Sequence, residues 1–222
     1  MKTSILLLLP IALFYACVET PLNESRVETL PFYKEATFTP HWLSPDDEAL
    51  DTFHQISPFT LINQEGEEIT EKNFEDKIYV VDFFFTTCPG ICPKMTNNMM
   101  KLQDEFLQDE DILLLSHSVT PDRDSVPVLK QYAEEEGIVS HKWHLATGVR
   151  QEIYQLGRQE YFIEENLGLD KEVDEFLHTE NFVLVDNNRH IRGIYNGLNK
   201  TSVNQLIADI RTLKQEKTTT EE

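Results

Sequence analysis

Two cysteines separated by three residues carry the most pointed chemistry in this chain: Cys88 and Cys92, in Thr86-Thr87-Cys88-Pro89-Gly90-Ile91-Cys92-Pro93-Lys94-Met95. A cysteine that ends a strand-like apolar run and opens a helix meets unpaired backbone N–H groups and the positive end of the helix dipole, and both favour thiolate over thiol. The spacing is C-x3-C rather than the redox C-x-x-C. Three intervening residues allow a wider, more pliant loop, or set both sulfurs one helical turn apart on the same side. Either arrangement suits a disulfide or two soft ligands for one metal. Two thiolates rarely complete a metal site, so a third ligand is wanted, and the chain has seven histidines. His178, in Leu177-His178-Thr179-Glu180 directly before an apolar run, is the best placed of them. Two thiolates and one imidazole suit Cu(I), a soft ion content with few ligands, whereas Cu(II) adds a water or a carboxylate. Tetrahedral structural zinc wants a fourth protein ligand.

These residues need elements to hold them. Ile78 to Phe85 is a continuous β-favouring run, as expected of a strand buried on both faces. Pro93 to Phe106 reads as a helix with Met95, Met99, Leu102 and Phe106 on one side, which makes the methionines core residues rather than copper ligands. Ile112 to Val119 is a second buried strand. Ser125 to Glu136 is a helix opened by Ser125 and stopped by Gly137, and Val149 to Leu156 is another helical candidate. Phe59 to Ile69 suggests a hairpin turned at Glu65-Gly66. Asn181 to Asp186 and Ile191 to Tyr195 pair around Asn187-Asn188, and Thr201 to Leu213 closes the pattern as an amphipathic helix capped by Thr201.

A buried β-α-β followed by a hairpin and a helix predicts an α/β chain with a thioredoxin-like fold: a central mixed sheet flanked by helices, with an N-terminal β-hairpin. In such a fold the loop before the Asn181 strand packs against the cysteine loop. Thioredoxins usually keep a proline there; here an imidazole, His178, is available instead. His117 and His144 read as packing residues, and His41, His54, His141 and His190 show no ligand pattern. Asp122, Arg123 and Asp124 read either as a polar network near the cysteine loop or as the capped turn that opens a helix.

With these residues in place, the chain resembles the Sco/SenC family of membrane-tethered, thioredoxin-like copper proteins. Cys88-Pro89-Gly90-Ile91-Cys92-Pro93 matches the family motif, with Met95 beyond it. Ser118 to Ser125, Trp143 to Gly148 and His178-Thr179 follow in order, so the resemblance spans roughly Phe53 to Leu213. It implies one copper per monomer on Cys88, Cys92 and His178. It further implies copper delivery to the CuA site of cytochrome c oxidase subunit II, coupled thiol–disulfide chemistry, and dealings with another copper chaperone or a thioredoxin-like reductant. Phe162 to Phe176 departs from the pattern, being longer and more acidic than a plain thioredoxin loop.

The ends have their own logic. Lys2 precedes an apolar run, Ser4 to Val18, that is shorter than the roughly 20 residues of a membrane-spanning helix and carries Pro10. It suits a secretory signal. Ala16-Cys17 after that run resembles a bacterial lipoprotein signal, with Phe14 and Tyr15 bulkier than usual. This divides the chain into a lipoprotein-type signal peptide over 1–16, a tether over 17–52 beginning with a lipidated Cys17, the domain over 53–213 and a polar tail over 214–222. The expected place is the bacterial cell envelope, membrane-anchored and facing the periplasm. The remaining two cysteines, Cys88 and Cys92, then sit in an oxidising compartment. A net charge of −20, from 19 basic and 39 acidic residues, excludes nucleic acid as a partner and describes a solvated acidic surface. Two other functions fit the same pair. One is a thiol–disulfide oxidoreductase or peroxidase in which Cys88 attacks and Cys92 resolves; the other is a redox- or copper-sensing module. A non-catalytic metallochaperone is the favoured reading.

Overall fold

The computed structural model describes residues 24–164 and 176–220, with side chains described to Glu216. The signal-like run, Cys17 and most of the acidic Phe162 to Phe176 segment lie outside the described residues.

Five strands form one mixed sheet: β3 (Ile78–Phe84), β4 (Ile112–Ser118), β5 (Trp143–Ala146), β6 (Asn181–Val185) and β7 (Ile191–Asn196), in the order β5-β4-β3-β6-β7. β3, β4 and β5 run parallel, and β6 and β7 add antiparallel pairs. A separate hairpin, β1 (Thr60–Ile62) and β2 (Glu68–Thr70), turns through Gly66, whose φ of 81° explains the glycine. The pleat of β3 sorts its side chains. Ile78, Val80 and Phe84 face α1 (Cys92–Phe106), α2 (Val126–Glu136) and α4 (Lys200–Thr220). Tyr79, Val81 and Phe83 face the hairpin and α3 (Arg150–Gln155). The thioredoxin-like α/β arrangement and the hairpin are therefore as expected.

Three elements differ from the expectation. β5 carries no periodic signal, because its four residues are too few to show one. Tertiary bonds create it: on its far side the Gln64 amide donates to the Trp143 carbonyl at 2.8 Å and accepts from the Leu145 N–H at 2.8 Å. α3 is shorter than expected and runs into a π-turn, Leu156–Glu160. Gly157 in that turn has no room for a Cβ, which would meet Leu177 Cδ2 at 2.8 Å and Phe83 Cε1 at 3.1 Å. α4 is capped by Asn199, whose Oδ1 accepts from Thr201 N and Ser202 N at 2.9 and 3.3 Å, rather than by Thr201. It also runs past Leu213, held by Lys214 on Asp109 at 2.6 Å.

The segment expected to be a tether is seated on the domain from Ser25 onwards. Ser25 Oγ donates to Asp209 at 2.6 Å, and the Tyr33 N–H donates to the Ile191 carbonyl of β7 at 3.0 Å. Arg192, buried, is the clamp. It donates to the Leu30 carbonyl at 2.7 Å and the Pro31 carbonyl at 3.2 Å, pairs with Asp186 and Glu216, and lies 3.9 Å from the Phe32 ring centroid. Such a charge is tolerable inside only because every face of the guanidinium is matched.

Candidate functional site

The cysteine loop leaves the C-terminal end of β3 and becomes α1 at Cys92. Asp124, fully buried, fixes its first residues. The Asp124 carboxylate accepts from Thr86 Oγ1 at 2.6 Å, Thr86 N at 3.3 Å, Ser118 Oγ at 2.5 Å and Thr120 Oγ1 at 3.0 Å. It thus ties the loop after β3 to the loop after β4. Of the two readings of this acidic turn, the network is the one built; Ser125 caps α2 by position and makes no side-chain cap bond.

Cys88 and Cys92 are both free thiols, the first half-buried and the second buried. Burial alone would push the Cys88 thiol up. Hydrogen bonds from the Cys92 thiol and from the N–H groups of Cys92, Gly90 and Ile91 outweigh it, and its pKa falls below the ordinary cysteine value. This is the helix-opening effect expected of a strand-to-helix cysteine. Cys92 moves the other way: burial, its bond to Cys88 and the nearby charges of Cys88 and Asp82 all push it up. The pair is therefore unequal: the Cys88 thiol gives up its proton more readily than the Cys92 thiol.

Asp82 was not singled out as a candidate from the sequence. It is the one charge in the apolar run of β3, and that oddity was its only signal. The pleat points it to the α1 face, where Ser116 Oγ donates to it and in turn accepts from Trp143 Nε1 at 2.8 Å. Among the described residues no cation faces it, and burial raises its pKa to about 7 against the pull of Ser116.

His178 is exposed, while its neighbours are driven inward. Leu177 is buried against the π-turn, and Thr179 donates to the Ile163 carbonyl at 2.6 Å. Extending the β3–β6 register, in which Val81 pairs with Val183, would set His178 opposite Thr86. Phe176 lies edge-on to Phe85 at 5.5 Å, which brings this segment against the cysteine loop. Even so, among the described residues no three His, Cys, Asp or Glu side chains gather as a metal-holding set. The two sulfurs are together; the imidazole is on the neighbouring segment and not yet joined to them.

His117 and His144 behave as packing groups, as expected. His117, fully buried, stacks on Phe83 at 4.7 Å with neither ring nitrogen bonded, and burial lowers its pKa to about 3. His144 lies edge-on to Phe74 at 5.8 Å. Met95 and Met99 are core residues. Residues 85–94 contain no acid and one base, Lys94, so the cysteine loop itself adds nothing to the acidic surface.

Comparisons with known proteins agree with this arrangement. The SCO1/SenC family profile matches residues 47–215. A SCO1/SenC family lipoprotein from Bacillus anthracis str. Ames is similar in structure, with a TM-score of 0.63 at 29% identity over 72% of this chain and 95% of that one. BsSco, which has a disulfide switch and is a member of the Sco family of cytochrome c oxidase assembly proteins, has a TM-score of 0.62 at 27% identity over 73% of this chain and 94% of its own. Copper-bound ScoI of Arabidopsis thaliana has a TM-score of 0.55 at 25% identity over 72% of this chain and 98% of that one. The paired thiols at the strand-to-helix turn, the fold that holds them and a profile match over most of the chain lead to one conclusion: the chain belongs to the SCO1/SenC family.

Proposed function

We propose that this chain is a membrane-tethered copper metallochaperone of the cell envelope, anchored by a lipid on Cys17 and facing the periplasm. It takes one copper on Cys88, Cys92 and His178 and passes it to the CuA site of cytochrome c oxidase subunit II. The observation that carries the reading is the thiol pair: two adjacent thiols, one with its pKa lowered, in a loop free of acids with an exposed imidazole on the next segment. Copper is the cargo. A thiolate–thiol–imidazole set suits its soft Cu(I) form once Cys92 gives up its proton. His178, on the segment that Phe176 brings against the cysteine loop, would complete the set. Relatives support the reading, since ScoI of Arabidopsis thaliana has been seen with copper bound and BsSco belongs to a family of oxidase assembly proteins.

The test is copper stoichiometry and Cu(I) affinity of the reduced full chain beside Cys88→Ser, Cys92→Ser and His178→Ala, by chelator competition. One copper per chain is expected, with loss of tight binding in the serine variants and a clear weakening in His178→Ala. Unchanged affinity in His178→Ala would sink the three-ligand set.

The unequal thiols favour a second activity at the same pair, thiol–disulfide exchange. Cys88 thiolate attacks a partner disulfide, releasing one partner thiolate; Cys92 then loses its proton and attacks Cys88, releasing the second. Reduction of an acceptor's cysteines in this way would prepare them for copper. Turnover that survives His178→Ala but not Cys88→Ser is the expected signature.

A further inference from the structure

Trp42 is the most exposed large apolar side chain among the described residues, at 61%. It does not sit on a loose tail. Its neighbour His41 exchanges two backbone bonds with Phe32 at 2.8 and 2.9 Å, and Phe32 lies under the Arg192 clamp. With Arg26, Val27, Tyr33, Pro40 and Ile194, Trp42 lines a groove of about 210 Å³ along β7. Residues 24–42 carry two bases, Arg26 and Lys34, against three acids, Glu24, Glu28 and Glu35, so this surface is nearly neutral on a chain of charge −20.

The length of chain ahead of this surface says what covers it. Cys17 lies seven residue steps ahead of Glu24, with six residues between them. At 3.3–3.6 Å per residue the seven steps reach at most about 25 Å. A free tether of 35 residues would let the domain turn in any direction; a leash of seven on a clamped segment holds the β7 side toward its anchor. Tryptophan is the side chain that favours the headgroup layer, with an apolar body and one polar N–H. We propose that the β7 side of the domain, with Trp42 and its groove, rests on the lipid surface that holds the N-terminus. The inference depends on the reading of Cys17 as lipidated. The cysteine loop leaves the sheet from β3, two strands in from β7, or about 10 Å across the sheet. Seating β7 on lipid therefore keeps copper close to the membrane plane, where a membrane-bound acceptor would meet it.

The test uses the processed full chain in phosphatidylcholine vesicles, with plain or brominated acyl chains, and reads tryptophan emission. The chain has two tryptophans, and Trp143 is buried in the core, so Trp42 is the reporter. Bromolipid is expected to lower the Trp42 share of emission, taken as wild type minus Trp42→Phe, by at least twofold. Trp42→Phe alone should show no bromolipid effect and should load copper as wild type does. Co-sedimentation with vesicles but equal emission in both lipids would overturn the seating and leave the anchor standing. Failure to co-sediment would overturn the anchor and the seating with it. Quenching that persists in Trp42→Phe, or a concentration-dependent dimer that hides Trp42 without lipid, would assign the groove to another occupant and overturn the proposal.

Discussion

A thiol whose pKa falls beside one whose pKa rises should reveal itself kinetically. In the reduced, metal-free protein at pH 7, iodoacetamide should label Cys88 well before Cys92, as read by peptide mass spectrometry; equal rates would contradict the split. Asp124 sets the loop that presents them. Asp124→Ala would leave the buried hydroxyl of Ser118 and the half-buried hydroxyl of Thr86 without an acceptor, and the expected loss is roughly 3 kcal/mol in chemical denaturation. The more conservative Asp124→Asn, which keeps one oxygen, should cost less. The cysteines were legible in the sequence because their signal is local: a run, a spacing and a helix start. The task of Asp124 was not, because its bond to Thr86 spans 38 residues, and only the parallel pairing of β3 with β4 brings the two loops together.

Elements with strong internal pattern were readable, and those made by their neighbours were not. β3 and β4 announce themselves by unbroken apolar runs, and α1 by its buried spacing of Met95, Met99 and Leu102. β5 exists because β4 and Gln64 supply its hydrogen bonds, which no short window of residues can display. The π-turn is similar: its shape follows from packing Gly157 against Leu177 and Phe83. This contact also joins the turn to the proposed copper ligand, because Leu177 is the residue before His178. Gly157→Ala should therefore cost about 1–3 kcal/mol through overpacking and also weaken Cu(I) binding by displacing residues 176–180. Chelator competition with the folded variant checks this; unchanged affinity would mean that the π-turn does not position His178.

At the scale of the whole molecule, two buried titrating groups pull the stability curve in opposite directions. Asp82 has a folded pKa near 7, above its unfolded value, so the stability it contributes is present below about pH 4 and lost as pH rises through 7. His117 has a folded pKa near 3, below its unfolded value, so its contribution is present above about pH 6.5 and lost as pH falls through 3. Each shift corresponds to at most roughly 4–5 kcal/mol, and over pH 4–6.5 the two slopes oppose one another. Asp82→Asn should remove the loss on the neutral side and expose acid lability, and His117→Phe should do the reverse. Denaturation midpoints across pH 4–8 check both, and parallel curves for the two variants would refute the opposition. Gln64 and Tyr33 have a consequence of the same reach. One completes the open side of β5 with its amide, and the other donates to β7 with its N–H. Each thus blocks part of an outer strand of the five-stranded sheet, which shortens the open edge that crowded copies of this chain could extend by cross-chain addition. Fibril growth and strand exchange are thereby disfavoured even when the cysteine loop is empty and reactive.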